Sequence, residues 1–315
     1  MTTSKLYQGP IAPARLITDS ARSIGRLLQR QQRAGRRQDE IFRDWVCLLE
    51  AVLVSMTKEQ LTALRRGNEA QTRQFIDQFL RGEAVSDGGN AQRYYREPHW
   101  ERFAQMTALL LENVRQGYAD YLAPIFSEYS YPNKMADQYF TPWELALHTA
   151  RSWLYDVVPQ VERRLSEAYR QFYEDQVRSQ DGVQSMAAQA DGQNWHWTER
   201  LVRLSIPILR PHYTPYRIFD PSAGSATLLL AAAAYIPCWM IELGLVEFYG
   251  VELDPFVARM ASVNFALYGL PLKLGVGDFF RLRTDLKFDL ILINPPFSGK
   301  LSERNRSKKK KRITA

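Results

Sequence analysis

Apolar residues recur at intervals of three and four along residues 39–80, and the same pattern returns along residues 100–122. This spacing places them on one face of a helix, so it predicts that residues 1–130 form an all-helical N-terminal domain. Helices are also predicted from Pro142 to about Tyr173.

A further helix is predicted to begin after Thr198, its N-cap, and to stop before Pro211. After Pro215 the pattern changes, because short apolar runs now alternate with helical segments. The predicted strands are Arg217–Phe219, Glu247–Val251, Leu272–Val276 and Phe288–Ile293, and the predicted helices between them are Ala226–Tyr235 and Pro255–Tyr268. Such alternation is typical of a doubly wound parallel α/β sheet, in which ligands bind at the carboxyl ends of the strands.

The composition bounds the class of protein. A chain of 315 residues with 45% hydrophobic residues is large enough for a buried core. The only cysteines are Cys47 and Cys238, without the spacing of a zinc site, so no metal and no disulfide framework is implied. No apolar run reaches the length of a membrane span and no secretory signal is visible, so we expect a cytoplasmic protein.

The net charge of +7 is concentrated at one end of the chain. Residues 300–315 hold eight Lys and Arg residues against Glu303, a surplus equal to the whole net charge. We interpret this segment as a basic tail. A second basic feature is a set of arginines spaced by three and four, which predicts a stripe on one helix face that is either solvated or binds phosphates. The stripe consists of Arg22, Arg26, Arg30, Arg33 and Arg37.

A turn of small residues, Asp220–Thr227, follows the first predicted strand. Gly224 can adopt positive φ there, and the small side chains let backbone amides approach a ligand. The turn lacks the Lys of a phosphate-binding loop. Glu252 ends the second strand, where a carboxylate can hold ribose hydroxyls. Together these features indicate a nucleoside ligand without a phosphate; the alternatives are a tight turn with no ligand and a helix-capping role for Glu252.

The ends of the third and fourth strands carry further candidates. Asp278 can accept a hydrogen bond from an adenine amine while Phe279 packs on the ring, unless Asp278 is only a turn residue. Asn294-Pro295-Pro296-Phe297 follows the run 289–293, which we expect to be a buried strand. The Asn294 oxygen and the Pro295 carbonyl can accept both protons of an exocyclic amine, and Phe297 can stack on a flat base. A plain turn after a strand is the alternative.

The order of these motifs resembles that of S-adenosylmethionine-dependent DNA methyltransferases that act on adenine N6. Within that group the chain is most similar to the modification subunits of type I restriction systems. Their upstream motif Gln-(Phe/Tyr)-Phe-Thr-Pro is matched by residues 138–142. The resemblance covers about residues 136–299 and implies a Rossmann-like fold, S-adenosyl-L-methionine as cofactor and DNA as partner. If the resemblance is set aside, residues 140–142 are interpreted as the start of a helix, with Thr141 as its N-cap and Pro142 in its first turn.

The resemblance also implies a role for each matched residue. The implied cofactor-binding residues are Gln138, Tyr139, Phe140, Thr141, Pro142, Trp143, Asp220, Pro221, Ala223, Gly224, Ser225, Glu252, Asp278 and Phe279. The implied catalytic residues are Asn294, Pro295, Pro296 and Phe297. Among the cofactor-binding residues, Asp220 and Gly224 would surround the methionine part. Glu252 would bind the ribose, and Asp278 with Phe279 would bind the adenine of the cofactor.

The chain departs from the family pattern at three places. Asp137 and Ala226 replace glycines, which is compatible with the pattern if φ is negative there. The long gap from Pro142 to Asp220 indicates a helical insertion at about residues 156–197 within a methyltransferase domain of residues 131–299. The family's sheet and target-recognition elements continue beyond the point that corresponds to Phe297. We therefore expect a truncated or split enzyme, incomplete at the C-terminus, that needs a second subunit or a missing C-terminal region.

Three other functions are compatible with the sequence. The first is methylation of ribosomal RNA or of a protein glutamine, because those enzymes also use Asn-Pro-Pro followed by an aromatic residue. The second is a non-catalytic remnant or subunit that binds cofactor or DNA. The third is a helical DNA-binding module that uses the arginine stripe.

Overall fold

The computed structural model of the protein describes residues 10–31, 35–81, 94–130, 140–179 and 197–294. The predicted helices of the N-terminal region are present. They are α1 (Ala14–Gln31), α2 (Gln38–Ser55), α3 (Lys58–Arg65), α4 (Glu69–Leu80), α5 (Glu97–Gln116) and α6 (Leu122–Ile125), with a π-helical turn at Phe126–Ser130. None of the described helices is long and apolar enough to cross a bilayer.

The predicted arginine stripe is wrong in its length. Helix α1 ends at Gln31, and Gly35 has φ +75°, which interrupts the helical path. Arg37 lies at the N-cap of α2 and pairs with Asp39. The stripe is therefore continuous only along Arg22, Arg26 and Arg30, and Arg33 lies outside the described residues.

The middle of the chain is helical, as predicted. It contains α7 (Trp143–Trp153), α8 (Val157–Ser179) and α9 (Glu199–Leu209). The Thr198 hydroxyl caps α9 by accepting from the Leu201 N–H at 3.4 Å, which confirms the predicted N-cap. Residues 180–196, with most of the predicted insertion's loop, lie outside the described residues.

Four parallel strands form one sheet. The elements are β1 (Tyr216–Asp220), α10 (Thr227–Ala234), α11 (Cys238–Glu242), β2 (Val246–Glu252), α12 (Pro255–Leu267), β3 (Lys273–Val276) and β4 (Leu290–Ile291). Their order is β3-β2-β1-β4, so β1 has β2 on one side and β4 on the other. A parallel sheet with crossover helices and a helical N-terminal region confirms the predicted fold class.

The two faces of the sheet are covered differently. On one face, Phe248 packs its ring edge on Phe265 of α12 at 5.6 Å. Gly250, on the same face, leaves room for Leu229 of α10. On the other face, Phe288 stacks on Phe219 at 4.3 Å. Between β3 and β4 the described chain supplies a 3-10 turn and an extended segment where a doubly wound fold has a helix.

The fourth strand differs from the expected buried strand Phe288–Ile293. Only Leu290–Ile291 is regular strand, although the Asp289 and Leu292 N–H groups extend the pairing with β1. Ile291 is 57% exposed and Ile293 49% exposed, whereas Leu292 is buried. Because β4 has one neighbour in the described sheet, its outer side is open to solvent, as expected of an edge strand.

The helical N-terminal region packs directly on the α/β region, and one hydrophobic core runs through both. Phe42 of α2 meets Phe256 of α12 at 6.0 Å between ring centres. Further along the chain, Arg164 of α8 forms a bidentate pair with Asp289 at 2.6 and 3.1 Å, which ties α8 to the start of β4. The predicted boundary between the regions, near residue 130, stays a prediction.

Candidate functional site

The four strands end at one edge of the sheet, and each carries a predicted site residue there. Asp220 ends β1 and Glu252 ends β2, whereas Asp278 and Asn294 follow β3 and β4. The Gly277 N–H donates to the Glu252 carbonyl at 2.8 Å, which holds the β3 end against the β2 end. The sheet thus brings together residues that are up to 74 positions apart in the sequence.

The turn after β1 contains two residues in the left-handed conformation. Gly224 has φ +56°, and Ala226 has φ +66°. The condition of negative φ, under which Ala226 would fit the family pattern, is therefore not met. The turn must reverse between β1 and α10 within a few residues, and the Ala226 N–H donates to the Ala223 carbonyl at 2.7 Å to close it. An alanine in this conformation is strained by roughly 1–2 kcal/mol.

We predict that Ala226→Gly leaves the free energy of unfolding unchanged within about 1 kcal/mol. Relief of about 1–2 kcal/mol of strain is offset by a more flexible unfolded chain and by the loss of one buried methyl group, each about 0.5–1 kcal/mol. The matched control is Ala232→Gly, a fully buried alanine in α10 without backbone strain. Urea unfolding should show a loss of roughly 2 kcal/mol for this control. Equal losses for both variants would show that Ala226 is not strained.

Glu252 connects the turn to the end of β2. Its Oε2 accepts from the Gly224 N–H at 2.8 Å, and its Oε1 accepts from the Asp254 N–H at 2.9 Å. The N-cap of α12 is Asp254, which accepts from the Phe256 and Val257 N–H groups. Helix capping is therefore the role of Asp254, and Glu252 holds the glycine turn in place.

Asp220 is a buried carboxyl group, 1% exposed. Its Oδ1 accepts from the N–H and the hydroxyl of Ser222. Its Oδ2 accepts no hydrogen bond from the described residues. Burial raises the pKa of Asp220 to about 7; the hydrogen bonds from Ser222 oppose this shift, and the charge of Glu252 adds to it. The carboxyl group is therefore only half ionised near neutral pH, unless a cationic group lies beside it.

We predict a pH-dependent stability that originates at Asp220. Because its pKa in the folded protein lies above the reference value of 3.8, the stabilisation is fully present below about pH 4 and is lost as the pH rises to about 7. At about 1.4 kcal/mol per pKa unit, wild type should lose about 2–3 kcal/mol between pH 5 and 8 relative to Asp220→Asn. Urea unfolding of both proteins at the two pH values measures this difference. Parallel profiles would contradict the raised pKa.

Asp120 is a site residue that the sequence analysis missed. This buried carboxylate follows α5 and reaches the glycine turn after β1, where its Oδ2 accepts from the hydroxyls of Ser225 and Thr227 at 2.5 and 2.7 Å. Its Oδ1 accepts from the Asn264 amide at 3.0 Å and from two backbone N–H groups at the start of α6. Five donors converge on one carboxylate.

A signal for Asp120 was present in the sequence. It is the one charged residue within the otherwise uncharged stretch 116–127. A buried carboxylate needs hydrogen-bonding partners, so an isolated Asp in such a stretch indicates a partnered group. The three side-chain partners lie more than 100 positions away, and no local pattern points to them.

The upstream motif reaches the same edge of the sheet. Phe140 Cδ1 lies 3.9 Å from the position of a Cβ on Gly224, and the Phe140 ring also meets Phe126 edge-on. The Asn294 side-chain amide donates to the Thr141 hydroxyl at 2.8 Å. Since the Thr141 hydroxyl contacts Asn294, it does not cap α7; Pro142 is at that N-cap without a side-chain hydrogen bond.

Asp278 and Phe279 form a local turn beside these residues. The Asp278 carboxylate accepts from the Phe280 N–H at 3.0 Å and lies 3.4 Å from Arg281. Phe279 is 38% exposed, and its ring lies 5.6 Å from that of Phe219. The turn role that was the alternative for Asp278 is thus present, and a ligand role stays a prediction.

The remaining predicted residues divide into two groups. Pro221, Ala223 and Ser225 are buried in the turn, and Trp143 is buried at the start of α7. The indole N–H of Trp143 finds no acceptor in the described part of the chain. Five predicted residues lie outside the described ranges: Gln138, Tyr139, Pro295, Pro296 and Phe297.

These observations fit a nucleoside with a cationic amino-acid end. The Asp220 carboxyl group has an oxygen without a protein donor, and an ammonium group would restore its charge. Among the described residues, a Cβ on Gly224 would meet only Phe140 within 4 Å, so no other described side chain fills the space beside the turn. Glu252 and Asp278 supply further acceptor oxygens along the same edge. The described site thus combines a parallel sheet, a glycine turn and an amide at the end of β4.

Comparison with known proteins shows similarity to DNA methylases. The sequence model of the N-6 DNA methylase family matches residues 181–314. The HindI type I restriction enzyme methylase subunit of Haemophilus influenzae is 28% identical over 123 residues, which are 37% of this chain and 27% of that protein. The MjaIX methylase subunit of Methanocaldococcus jannaschii is 28% identical over 93 residues, 29% of this chain and 17% of that protein.

A solved structure with a weaker likeness is the type I restriction-modification methyltransferase subunit from Streptococcus thermophilus. It is 15% identical, with a TM-score of 0.39, over 91% of this chain and 64% of that one.

Fold and site define an α/β protein with a candidate site at the carboxyl edge of a parallel sheet. Residues 181–314 of the chain are similar to the N-6 DNA methylase family. It spans about a quarter of the length of the HindI subunit that it matches (27%).

Proposed function

We propose that the chain transfers a methyl group from S-adenosyl-L-methionine to the N6 amine of adenine in DNA. We further propose that it does so as part of a restriction-modification or related defence system, with target recognition supplied by a second subunit or a further C-terminal region. The observation that carries the proposal is the hydrogen bond between Asn294 and Thr141, which joins the two ends of the predicted site beside the glycine turn.

Each part of S-adenosyl-L-methionine would contact its own residues at the edge of the sheet. When bound, S-adenosyl-L-methionine supplies an electrophilic methyl group on its sulfonium. The Asp220 carboxylate would hold the ammonium group of the methionine part, and Glu252 would accept from the ribose hydroxyls with its remaining lone pairs. Asp278 and Phe279 would bind the adenine of the cofactor, as the resemblance implies.

The catalytic half depends on Asn294. Adenine N6 is a poor nucleophile, because its lone pair is delocalised into the ring. Since the Asn294 amide nitrogen donates to Thr141, its Oδ1 is turned away from Thr141 and can accept from N6. With the Pro295 carbonyl as a second acceptor, these bonds favour a pyramidal nitrogen whose lone pair faces the methyl group. The target base must leave the duplex, which costs a few kcal/mol.

Calorimetry with S-adenosyl-L-methionine, paired with transfer of a labelled methyl group to DNA, tests the proposal. Binding and transfer to adenine support it. Binding without transfer, even when the polypeptides encoded beside this chain are co-expressed, supports the non-catalytic alternative. Transfer to ribosomal RNA or to a protein glutamine in place of DNA would identify the other class of methyltransferase. No binding and no transfer would refute the proposal.

A further inference from the structure

The outer face of α1 carries a basic groove, which we define by Arg26 and Arg30 of α1 and Arg102 of α5. Arg26 and Arg30 are exposed, and Arg102 is half-buried. Two adjoining spaces of about 480 and 450 Å³ share Arg26 and Arg30. The first continues past Gln105 to Glu112, and the second is lined by Arg102.

The three guanidinium groups of the basic groove form no ion pair among the described residues, and Glu112 is the one carboxylate that lines the groove there. No carboxylate of the described residues lies within ion-pair distance of Arg26, Arg30 or Arg102. Arg22, one turn before, is 3.8 Å from Asp19. Elsewhere, arginines such as Arg164, Arg203 and Arg259 pair with acids. Three like charges around one space repel each other, and an anion would relieve that repulsion.

The position of the basic groove relates it to the site. The ring of Tyr129 packs on α1 at Gly25, where a Cβ would be 2.6 Å from the ring. The same turn of the chain carries Phe126, which meets Phe140, and Phe140 borders Gly224. A ligand on the outer face of α1 therefore lies a few side chains from the glycine turn.

The chemistry of the basic groove favours a phosphate backbone over a protein partner. Planar guanidinium groups match phosphate oxygens with two parallel hydrogen bonds. Arg26 and Arg30 are about 6 Å apart along the helix, so they can contact neighbouring phosphates of one strand of a duplex. The cores of protein interfaces are rich in aromatic residues, whereas the described lining contains none and holds three arginines against one carboxylate, that of Glu112.

We propose that the basic groove between α1 and α5 binds the DNA backbone outside the target base and so holds the duplex against the site. This inference rests on the proposed function for its choice of DNA. By this inference the helical N-terminal region binds the DNA substrate directly.

The test is fluorescence anisotropy with a labelled duplex, using the full chain over salt concentrations from about 50 to 200 mM. The triple variant Arg26→Gln/Arg30→Gln/Arg102→Gln should bind at least 10-fold more weakly at about 0.1 M salt, with a salt slope shallower by about 2 to 3. The matched control Arg66→Gln/Arg73→Gln/Arg170→Gln removes three exposed arginines elsewhere and should stay within about 2-fold of wild type. Unfolding midpoints of both variants establish that they are folded.

A variant that removes a negative charge from the basic groove, and so should tighten DNA binding, strengthens the test. Glu112→Gln removes the carboxylate at one end of the basic groove, so it should tighten DNA binding by about 2- to 5-fold, whereas the exposed Glu174→Gln should not change it. Wild-type affinity and slope in the arginine triple variant would overturn the inference, and so would equal losses in the control triple variant.

Failure of the DNA-binding inference can be distinguished from failure of the proposed methyltransferase function. If wild type binds cofactor but the arginine triple variant keeps its DNA affinity, the basic groove is not a DNA site and the methyltransferase proposal stands. If DNA binding depends on the arginines but no cofactor binds, the basic groove stands and the methyltransferase proposal falls.

Discussion

Asp120→Ala is expected to lower the free energy of unfolding by roughly 3–5 kcal/mol, because it leaves five buried donors without their acceptor. Two of these donors are the hydroxyls of Ser225 and Thr227, which flank the strained Ala226. The loss therefore falls on the turn that we assign to the cofactor. Urea unfolding measures the change in stability.

Two further variants make this prediction specific to Asp120. Asp120→Asn keeps one acceptor oxygen, and the two hydroxyls can rotate to accept from its amide, so we expect a loss of about 1–2 kcal/mol in a folded protein. Calorimetry on this variant should show weaker cofactor binding if the turn must be held for the cofactor. Asp285→Ala, at an exposed position, should change stability by less than about 0.5 kcal/mol. A loss that small for Asp120→Ala would contradict the structural role of the carboxylate.

Asn294→Ala is expected to reduce methyl transfer by about 10²- to 10³-fold with little change in cofactor affinity, because it removes an acceptor that acts on the amine during transfer. The assay follows labelled methyl transfer to DNA by an assembly that is active with wild-type chain. Undiminished transfer by Asn294→Ala would show that the reaction does not use this amide.

Thr141 provides a graded companion to Asn294. Thr141→Ser keeps the hydroxyl that accepts from the Asn294 amide and should stay close to wild type. Thr141→Val keeps the shape but removes the acceptor, so the amide loses its fixed orientation and transfer should fall by about 10-fold, equivalent to about 1.4 kcal/mol. If both variants behave alike, the hydrogen bond does not orient Asn294.

The sequence predicted the fold class because the features behind it are local. Strand and helix alternation after Pro215, the Thr198 cap and the helical periodicity of residues 39–80 each depend on neighbours a few positions apart. The placement of Asp220, Glu252, Asp278 and Asn294 at one sheet edge also followed, since parallel strands end on the same side.

Other predictions did not hold, for physical reasons that local patterns do not contain. The arginine stripe was extended through Gly35 because periodicity counts spacing and not backbone conformation. Strand β4 was expected to be buried because its residues are apolar. A buried strand needs a neighbouring strand on each side, and in the described sheet β4 has only β1 beside it. Ala226 adopts positive φ because its turn closes on Ala223, a constraint that residue type alone does not reveal.

By itself the sequence determined the resemblance to N-6 DNA methylases, the order of the strands and helices, and the types of polar side chain that follow each strand. Only the tertiary structure decided that Asp120 accepts hydrogen bonds from the turn, that the Asn294 amide donates to Thr141, and that burial raises the pKa of Asp220. These three facts arise from contacts across about 30 to 150 positions of sequence or from exclusion of water, which depend on the packed chain as a whole.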